Sequence, residues 1–373
     1  MSHKYMKRNL KDKIRGCLMA GAAGDAIGYA VEFICHNAII ERYGTNGITK
    51  FELKNGKALV SDDTQMTLFT ANGLLNAHKS GVSPKEAITN AYIDWYYTQM
   101  GGTNERKSCR ISDIDELNHR RAPGNTCLTA LYSIIQGQEV INNSKGCGGI
   151  MRVAPIPLYT LATNSADINS TALLAGDAAE ITHKHPLGFM PAALLAALIY
   201  KVAPMETEMV KRNIGRIIAD TLEILDIIYK DGLQAEKQRL KELTERAIEL
   251  AHSDTKDVAA ISKLGEGWIA EETWAIAIYC VVRHIGNIEQ AIAASVNHNG
   301  DSDSTGAVCG NIIGAIYGYE RIKEANIFCN DSTLENTLEL SGTILSLADE
   351  LADKGQQPHK TFWQILFNRL KKD

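Results

Sequence analysis

The chain has 373 residues, 45% hydrophobic and 22% charged, which excludes a disordered polymer, a collagen-like repeat and a small disulfide scaffold. Lysine and arginine total 39 against 44 acidic residues, a net charge of -5 that is the wrong sign for a protein whose main partner is nucleic acid. The 8 cysteines include no C-x-x-C pair, so they point to reduced thiols in the cytoplasm and to neither a zinc site nor a redox motif.

The first residues are basic through Lys4, Lys7, Arg8 and Lys11, with no apolar stretch before Ile14. They lack the pattern of a signal peptide and are expected to form a short arm, 1–13, ahead of one domain covering 14–373. Small residues then recur every fourth position at Gly16, Ala20, Gly24 and Gly28, and again at Gly306, Gly310, Gly314 and Gly318. Each glycine inside a helix costs about 0.8–1 kcal/mol relative to alanine, so two such faces predict two central helices in very close contact. The best strand signal, Ile48 to Leu53 with Val60 nearby, stands alone.

Ser61-Asp62-Asp63-Thr64 precedes Met66, Leu68 and Phe69 and has the form of a helix start, with Ser61 or Asp62 as cap. The polar segment from Gly101 to Arg121, with Arg106, Arg110, Arg120 and Arg121, is expected to be a solvated loop, a lid over the substrate being the alternative. The apolar run from Leu187 to Tyr200 is shorter than the roughly 20 residues of a membrane span and predicts a buried helix.

Further on, Ile214, Ile217, Ile218, Leu222, Leu225 and Ile228 mark one helical stripe. Leu240, Leu243, Ala247, Leu250 and Ala251 mark another, the two being separated by Asp231-Gly232. A capping box at Ser332 and Glu335 predicts a helix running through Leu334, Leu338, Leu345 and Leu351. The tail with Phe362, Trp363, Ile365, Leu366 and Leu370 is amphipathic and is expected to dock on the domain or on another chain. The fold class is all-α, one compact domain of many helices.

Four segments are candidates for chemistry, one of them Gly21 to Gly28 with Asp25, leading to Glu32-Phe33, which alone could be a packed glycine helix with a surface acid. Asn299-Gly300-Asp301-Ser302-Asp303-Ser304-Thr305-Gly306 is an oxygen-rich set suited to a hard cation, but the twelfth position of a calcium loop opened at Asp301 is Ile312, not glutamate, which disfavours an EF-hand. Combined with Asp62 and Asp63, these acids form a candidate two-metal carboxylate site, and the absence of histidine-rich spacing favours magnesium or manganese over zinc. Gly146-Cys147-Gly148-Gly149-Ile150-Met151-Arg152 would let backbone amides approach a diphosphate. No P-loop or dinucleotide-binding glycine motif occurs.

In order, Gly24-Asp25-Ala26-Ile27-Gly28 with Glu32-Phe33, Ser61-Asp62-Asp63-Thr64, Gly146 to Pro155, Ile181-Thr182-His183 and Gly300-Asp301-Ser302-Asp303-Ser304 resemble the motif series of the ADP-ribosylglycohydrolase family. The resemblance implies an all-α orthogonal helical domain with a dinuclear magnesium or manganese centre and removal of ADP-ribose from protein side chains, arginine first among the linkages. It implies Ser61, Asp62, Asp63, Asp301, Asp303 and Ser304 as metal ligands, Asp303 bridging, and Glu32, Asp62, Asp63 and Asp303 as the catalytic carboxylates. It places Ser144, Gly146, Cys147, Gly148 and His183 around the ADP-ribose, with Gly124, Asn125 and Thr126 as another wall.

The pattern departs from many relatives at Asn299, Ser302 and Ser304, and at Cys147 where asparagine is common. Alternatives are hydrolysis of a small ADP-ribose conjugate and an immunity role in which the protein blocks an ADP-ribosyltransferase, the arm through Lys11 being a contact for it. No membrane partner is expected, and the location is cytoplasmic.

Overall fold

A Cβ placed on Gly24 would lie 2.0 Å from the carbonyl oxygen of Gly306, and one on Gly314 would lie 2.0 Å from that of Gly16. The computed structural model, which describes residues 3–354 apart from 103, 106, 231, 330 and 331, thus brings the two small-residue faces into backbone contact. The first belongs to α1 (His3–Tyr29). The helices that follow are α2 (His36–Tyr43), α3 (Asp62–Ser80), α4 (Pro84–Met100), α5 (Asn125–Ile135), α6 (Pro155–Thr163), α7 (Ile168–Glu180) and α8 (Pro186–Val202). Next come α9 (Thr207–Leu222), α10 (Ile224–Ile228), α11 (Gln234–Ala251), α12 (Asp257–Ile261), α13 (Ala270–Arg283) and α14 (Ile288–Val296). The second glycine face belongs to α15 (Ser302–Tyr317), followed by α16 (Tyr319–Ala325), α17 (Leu334–Thr337) and α18 (Ser341–Lys354).

The pairing is antiparallel. Gly16 meets Gly314 and Gly318, Gly310 meets Ala20, Gly24 meets Gly306, and Gly28 meets Ser302. The C-terminal half of α1 therefore lies beside the N-terminus of α15, and the acids at those two ends are brought together. The other helices wrap this pair in a large apolar core, with a small second cluster of Ala172, Ala193, Ala197 and Ile224 where α7, α8 and α10 meet. Among them α8 is buried along nearly its whole length, as its apolar run predicts, with Pro186 in its first turn and His185 capping Leu187 N. Among the described residues no helix is long and apolar enough to cross a membrane.

The structure differs from the sequence-based expectations at several places. No strand forms over Ile48–Leu53: Asn297 pairs with Ile48 instead, its Oδ1 accepting from Ile48 N at 2.7 Å and its Nδ2 donating to Ile48 O at 2.9 Å. Among the described residues β pairing is limited to isolated bridges. The predicted helix from Ser332 is two helices, with Thr333 rather than Ser332 capping the first. The chain breaks at Leu338–Leu340, where Leu340 has φ 59° and Glu339 turns inward to accept from Arg121 Nη2 at 2.8 Å and Val60 N at 3.1 Å.

The stripe through Ile228 is also two helices, α9 and α10. The segment from Gly101 to Arg121 is no free solvated loop: Cys109, Ile111 and Leu117 are buried, and Arg110 pairs with Glu350 of α18. The basic N-terminal run is continuous with α1, and Lys13 is buried with its ammonium on Ile316 O and Thr207 Oγ1. Arg106, Asp231 and the tail from Phe362 to Leu370 lie outside the described residues.

Candidate active site

Asp25 follows Gly24 on α1 and is fully buried. Its carboxylate accepts from Ser61 N at 3.0 and 3.1 Å, from Thr64 N at 3.0 Å and from the Thr64 hydroxyl. These are donors that a helix start leaves unpaired, so Asp25 fastens the N-terminus of α3 to α1. Ser61 completes the cap by accepting from Asp63 N at 3.1 Å. On the opposite side Asp301 caps α15, accepting from Ser304 N at 3.2 Å, while Asp303 Oδ1 accepts from the same amide at 3.0 Å. Glu32 enters from the turn after α1.

Asp25, Glu32, Asp62, Asp63, Asp301 and Asp303 are each at most 7% exposed. Burial and then the Asp303 charge push Asp25 up to about 7 and Glu32 up to about 10, Glu32 also feeling Asp301, Asp62 and Asp25. Asp62, Asp63 and Asp301 are raised well above the ordinary carboxylate range by burial and by Asp303. The charges acting most strongly on this cluster are its own. Two oxygens, Asp63 Oδ2 and Glu32 Oε2, are buried with no hydrogen-bond partner.

Repelling buried carboxylates, orphaned oxygens and the Ser61 and Ser304 hydroxyls form a hard, all-oxygen donor set that fits magnesium or manganese. Among the described residues no three histidine, cysteine, aspartate or glutamate side chains already converge as a coordination shell. The fit rests on charge and donor chemistry.

The glycine turn forms the adjoining wall. Cys147–Gly149 is a single 3-10 turn held by Cys147 N donating to Trp268 O at 3.2 Å and Ala270 N donating to Lys145 O at 2.8 Å. Ser144 Oγ accepts from Gly146 N at 3.3 Å and lies 3.2 Å from Thr126 Oγ1. Asn142 Oδ1 accepts from Ser144 N and Lys184 N, both at 3.1 Å, tying the turn to the segment that carries His183. A Cβ on Gly146 would be 3.1 Å from His183 Nε2, and one on Gly148 would be 3.0 Å from His183 Cε1, so a side chain at either position would crowd the imidazole that lies against this backbone. Cys147 joins the walls, its thiol donating to Asp301 Oδ2 at 2.7 Å.

Ser144, Gly146, Cys147, Gly148, His183 and Thr126 are therefore brought together. Gly124 touches the acids, its N–H 3.4 Å from Asp62 Oδ2, while Asn125 is exposed at the start of α5. Burial, with the Arg152 charge second, holds His183 down at about 3, so it is neutral. The rim carries an exposed aromatic pair, Phe33 beside Glu32 stacked on Trp268 with centroids 6.1 Å apart and planes at 21°.

Asp25, Thr182 and Arg152 lie within the motifs, but the sequence assigns them no role. For Asp25 the available signal was a lone acid inside the apolar stretch from Ile14 to Val31. For Thr182 and Arg152 no local signal existed.

The ADP-ribosylglycohydrolase family model matches residues 6–361. The chain is 26% identical over 318 residues to the ADP-ribosyl-[dinitrogen reductase] glycohydrolase of Rhodospirillum rubrum, covering 84% of this chain and 88% of that protein. It is 25% identical over 338 residues to mouse ADP-ribosylhydrolase ARH3, covering 84% and 86%. A solved structure titled "ADP-ribosylglycohydrolase-related protein complex" superposes with a TM-score of 0.59 at 21% identity, over 93% of this chain and 99% of that one, and shares the all-helical fold. With the family model matching nearly its whole length, the chain belongs to the ADP-ribosylglycohydrolase family.

Proposed function

We propose that the protein is a hydrolase that cleaves ADP-ribose from modified protein side chains, arginine first among them, with two divalent cations, magnesium or manganese, held by Ser61, Asp62, Asp63, Asp301, Asp303 and Ser304. The observation that carries this reading is the contact of the buried carboxylates with the glycine turn through Cys147 and Asp301. A phosphorylated sugar held by the turn would place its ribose over the acids.

Divalent cations bound there supply the charge that holds ribose hydroxyls and polarises a water. The chain's own groups do the rest. Backbone amides of the glycine turn and the neutral His183 ring bind the diphosphate ribose without a basic surface. The N-glycosidic bond breaks through an oxocarbenium-like state, and Glu32, with its unpartnered Oε2 at the cluster's edge, is positioned to exchange a proton with water on the opposite face. Burial first and the surrounding acids second hold the proton on Glu32, and neutralising those acids would remove the second of these causes. An open cleft of about 700 Å³ lined by Lys54, Lys57, His119, Arg121 and Glu339 provides room for an acceptor chain. It adjoins Asp62, whose N–H donates to Arg121 O at 2.9 Å.

The test is release of ADP-ribose from an arginine-ADP-ribosylated protein, with magnesium or manganese and with chelator. Metal-dependent release that Asp303→Ala abolishes is expected. Absence of release with metal shown to be bound, when serine-linked protein and small conjugates are also supplied, would overturn the hydrolase reading and leave binding of a transferase as the role to examine.

A further inference from the structure

Arg152 is fully buried, and among the described residues no carboxylate is hydrogen-bonded to it. Its Nη1 reaches two sulfurs, Met66 Sδ at 3.3 Å and Cys127 Sγ at 3.4 Å, and its guanidinium carbon lies 4.2 Å from the centroid of the Tyr92 ring. Its Nε has no hydrogen-bond partner. Nη2 donates to Ala178 O at 3.2 Å and, more closely, to Thr182 Oγ1 at 2.7 Å. A buried charge without a counter-ion opposes folding, so its retention beside the glycine turn calls for a reason beyond packing.

The reason lies one bond further on. Thr182 Oγ1 is 2.8 Å from His183 Nδ1. A hydroxyl has one proton to give; near it lie Nδ1, Ala179 O and the sulfur of Cys127, a weak acceptor that already receives Arg152 Nη1. Ala179 O is distant at 3.5 Å and already accepts from Thr182 N at 3.2 Å and His183 N at 3.1 Å. Arg152 takes one of the two lone pairs of the hydroxyl oxygen, and with Ala179 O already accepting twice, the hydroxyl proton has its best acceptor in Nδ1. An imidazole that accepts at Nδ1 and is neutral carries its proton on Nε2, the atom that faces the Gly146 and Gly148 backbone.

We infer that Arg152 and Thr182 are positioning residues that fix His183 in its Nε2–H tautomer, so that the glycine turn presents a neutral N–H donor to an oxygen of a sugar diphosphate. Burial and the Arg152 charge oppose protonation of the ring, which keeps Nδ1 available as the acceptor. The nature of the ligand rests on the proposed function, whereas the tautomer does not.

The experiment is nitrogen NMR of the full chain labelled with 15N-histidine, the His183 signals being assigned by their loss in His183→Gln. The expected pattern is a protonated Nε2 and an unprotonated Nδ1. Thr182→Val keeps the shape and removes the hydroxyl; it should release the ring to both neutral tautomers and weaken binding of free ADP-ribose about tenfold, the scale of one lost hydrogen bond. Thr182→Ser should restore both properties, which a purely structural role for the threonine would not require.

A wild-type His183 protonated on Nδ1, or an unchanged tautomer in Thr182→Val, overturns the inference. The wild-type spectrum decides even if Thr182→Val fails to fold. ADP-ribose that does not bind a wild-type protein showing the expected tautomer would overturn the ligand class and leave the relay standing.

Discussion

The thiol of Cys147 donates to Asp301 Oδ2 at 2.7 Å, and this one bond makes the glycine turn and the carboxylate cluster parts of a single site. Burial, the Asp301 and Asp63 charges and the bond itself raise the thiol well above its ordinary range, so it remains a donor and does not add another negative charge.

Cys147→Ala would leave Asp301 Oδ2 without that donor. A hydrogen bond to a charged group contributes about 1.5–3 kcal/mol, so magnesium-dependent ADP-ribose release should fall roughly tenfold or more. Cys147→Asn, which restores an N–H donor, should recover most of it. Steady-state kinetics on an arginine-linked substrate checks both variants, and equal losses in the two would remove the donor explanation.

Without cations the cluster should make stability fall as pH rises. Asp25 is raised from 3.8 to about 7 and Glu32 from 4.5 to about 10, so their contributions are fully present below the unfolded values and are lost as pH climbs through the folded ones. Each proton held only by the native state corresponds to about 1.4 kcal/mol per pH unit. His183 acts in the opposite sense, its burial as a neutral ring reducing stability as pH falls from 6.5 toward 3. Thermal melts in chelator between pH 6.5 and 8.5, above the His183 window, should show a falling midpoint, and excess magnesium should flatten the slope. A midpoint independent of both pH and magnesium would contradict the electrostatic picture.

Asp25→Asn keeps the shape of the side chain but turns one acceptor into a donor facing the amide protons of Ser61 and Thr64. The start of α3 should lose its anchor, with cation affinity down at least tenfold and stability lower by about 1–3 kcal/mol. Magnesium calorimetry and denaturant unfolding measure the two effects separately. Wild-type affinity in this variant would show that the α3 terminus is held by other contacts.

Gly306→Ala would place a methyl group 2.3 Å from Gly24 O, against backbone that no rotamer can move. Overpacking typically costs about 1–3 kcal/mol and more where backbone must shift, so this variant should unfold at markedly lower denaturant. Gly215→Ala, on α9 with open space around it, serves as the control and should be neutral or slightly stabilising. Similar denaturation midpoints for the two variants would mean that α1 and α15 are not locked by their glycine faces.

Much of this protein follows from residues close together in the chain. The small-residue faces of α1 and α15, the apolar run of α8 and the cap at Ser61 are written within a few turns, because helix periodicity and capping are local effects. Asp62, Asp63, Asp301 and Asp303 stand out in the sequence as short clusters of acids, and in the fold both clusters open helices. What the chain does not write locally is which distant group answers each donor. Asp25 grips Ser61 and Thr64, Asn297 replaces the strand partner expected for Ile48, and Glu339 breaks a helix to reach Arg121. Such hydrogen bonds join residues far apart in sequence and leave no periodic trace. The carboxylate pKa values and the Arg152–Thr182–His183 relay likewise exist only once water is excluded and the antiparallel crossing of α1 and α15 has brought the acids of both helix ends to one place, since burial and Coulomb interaction depend on distance in space and not on spacing along the chain.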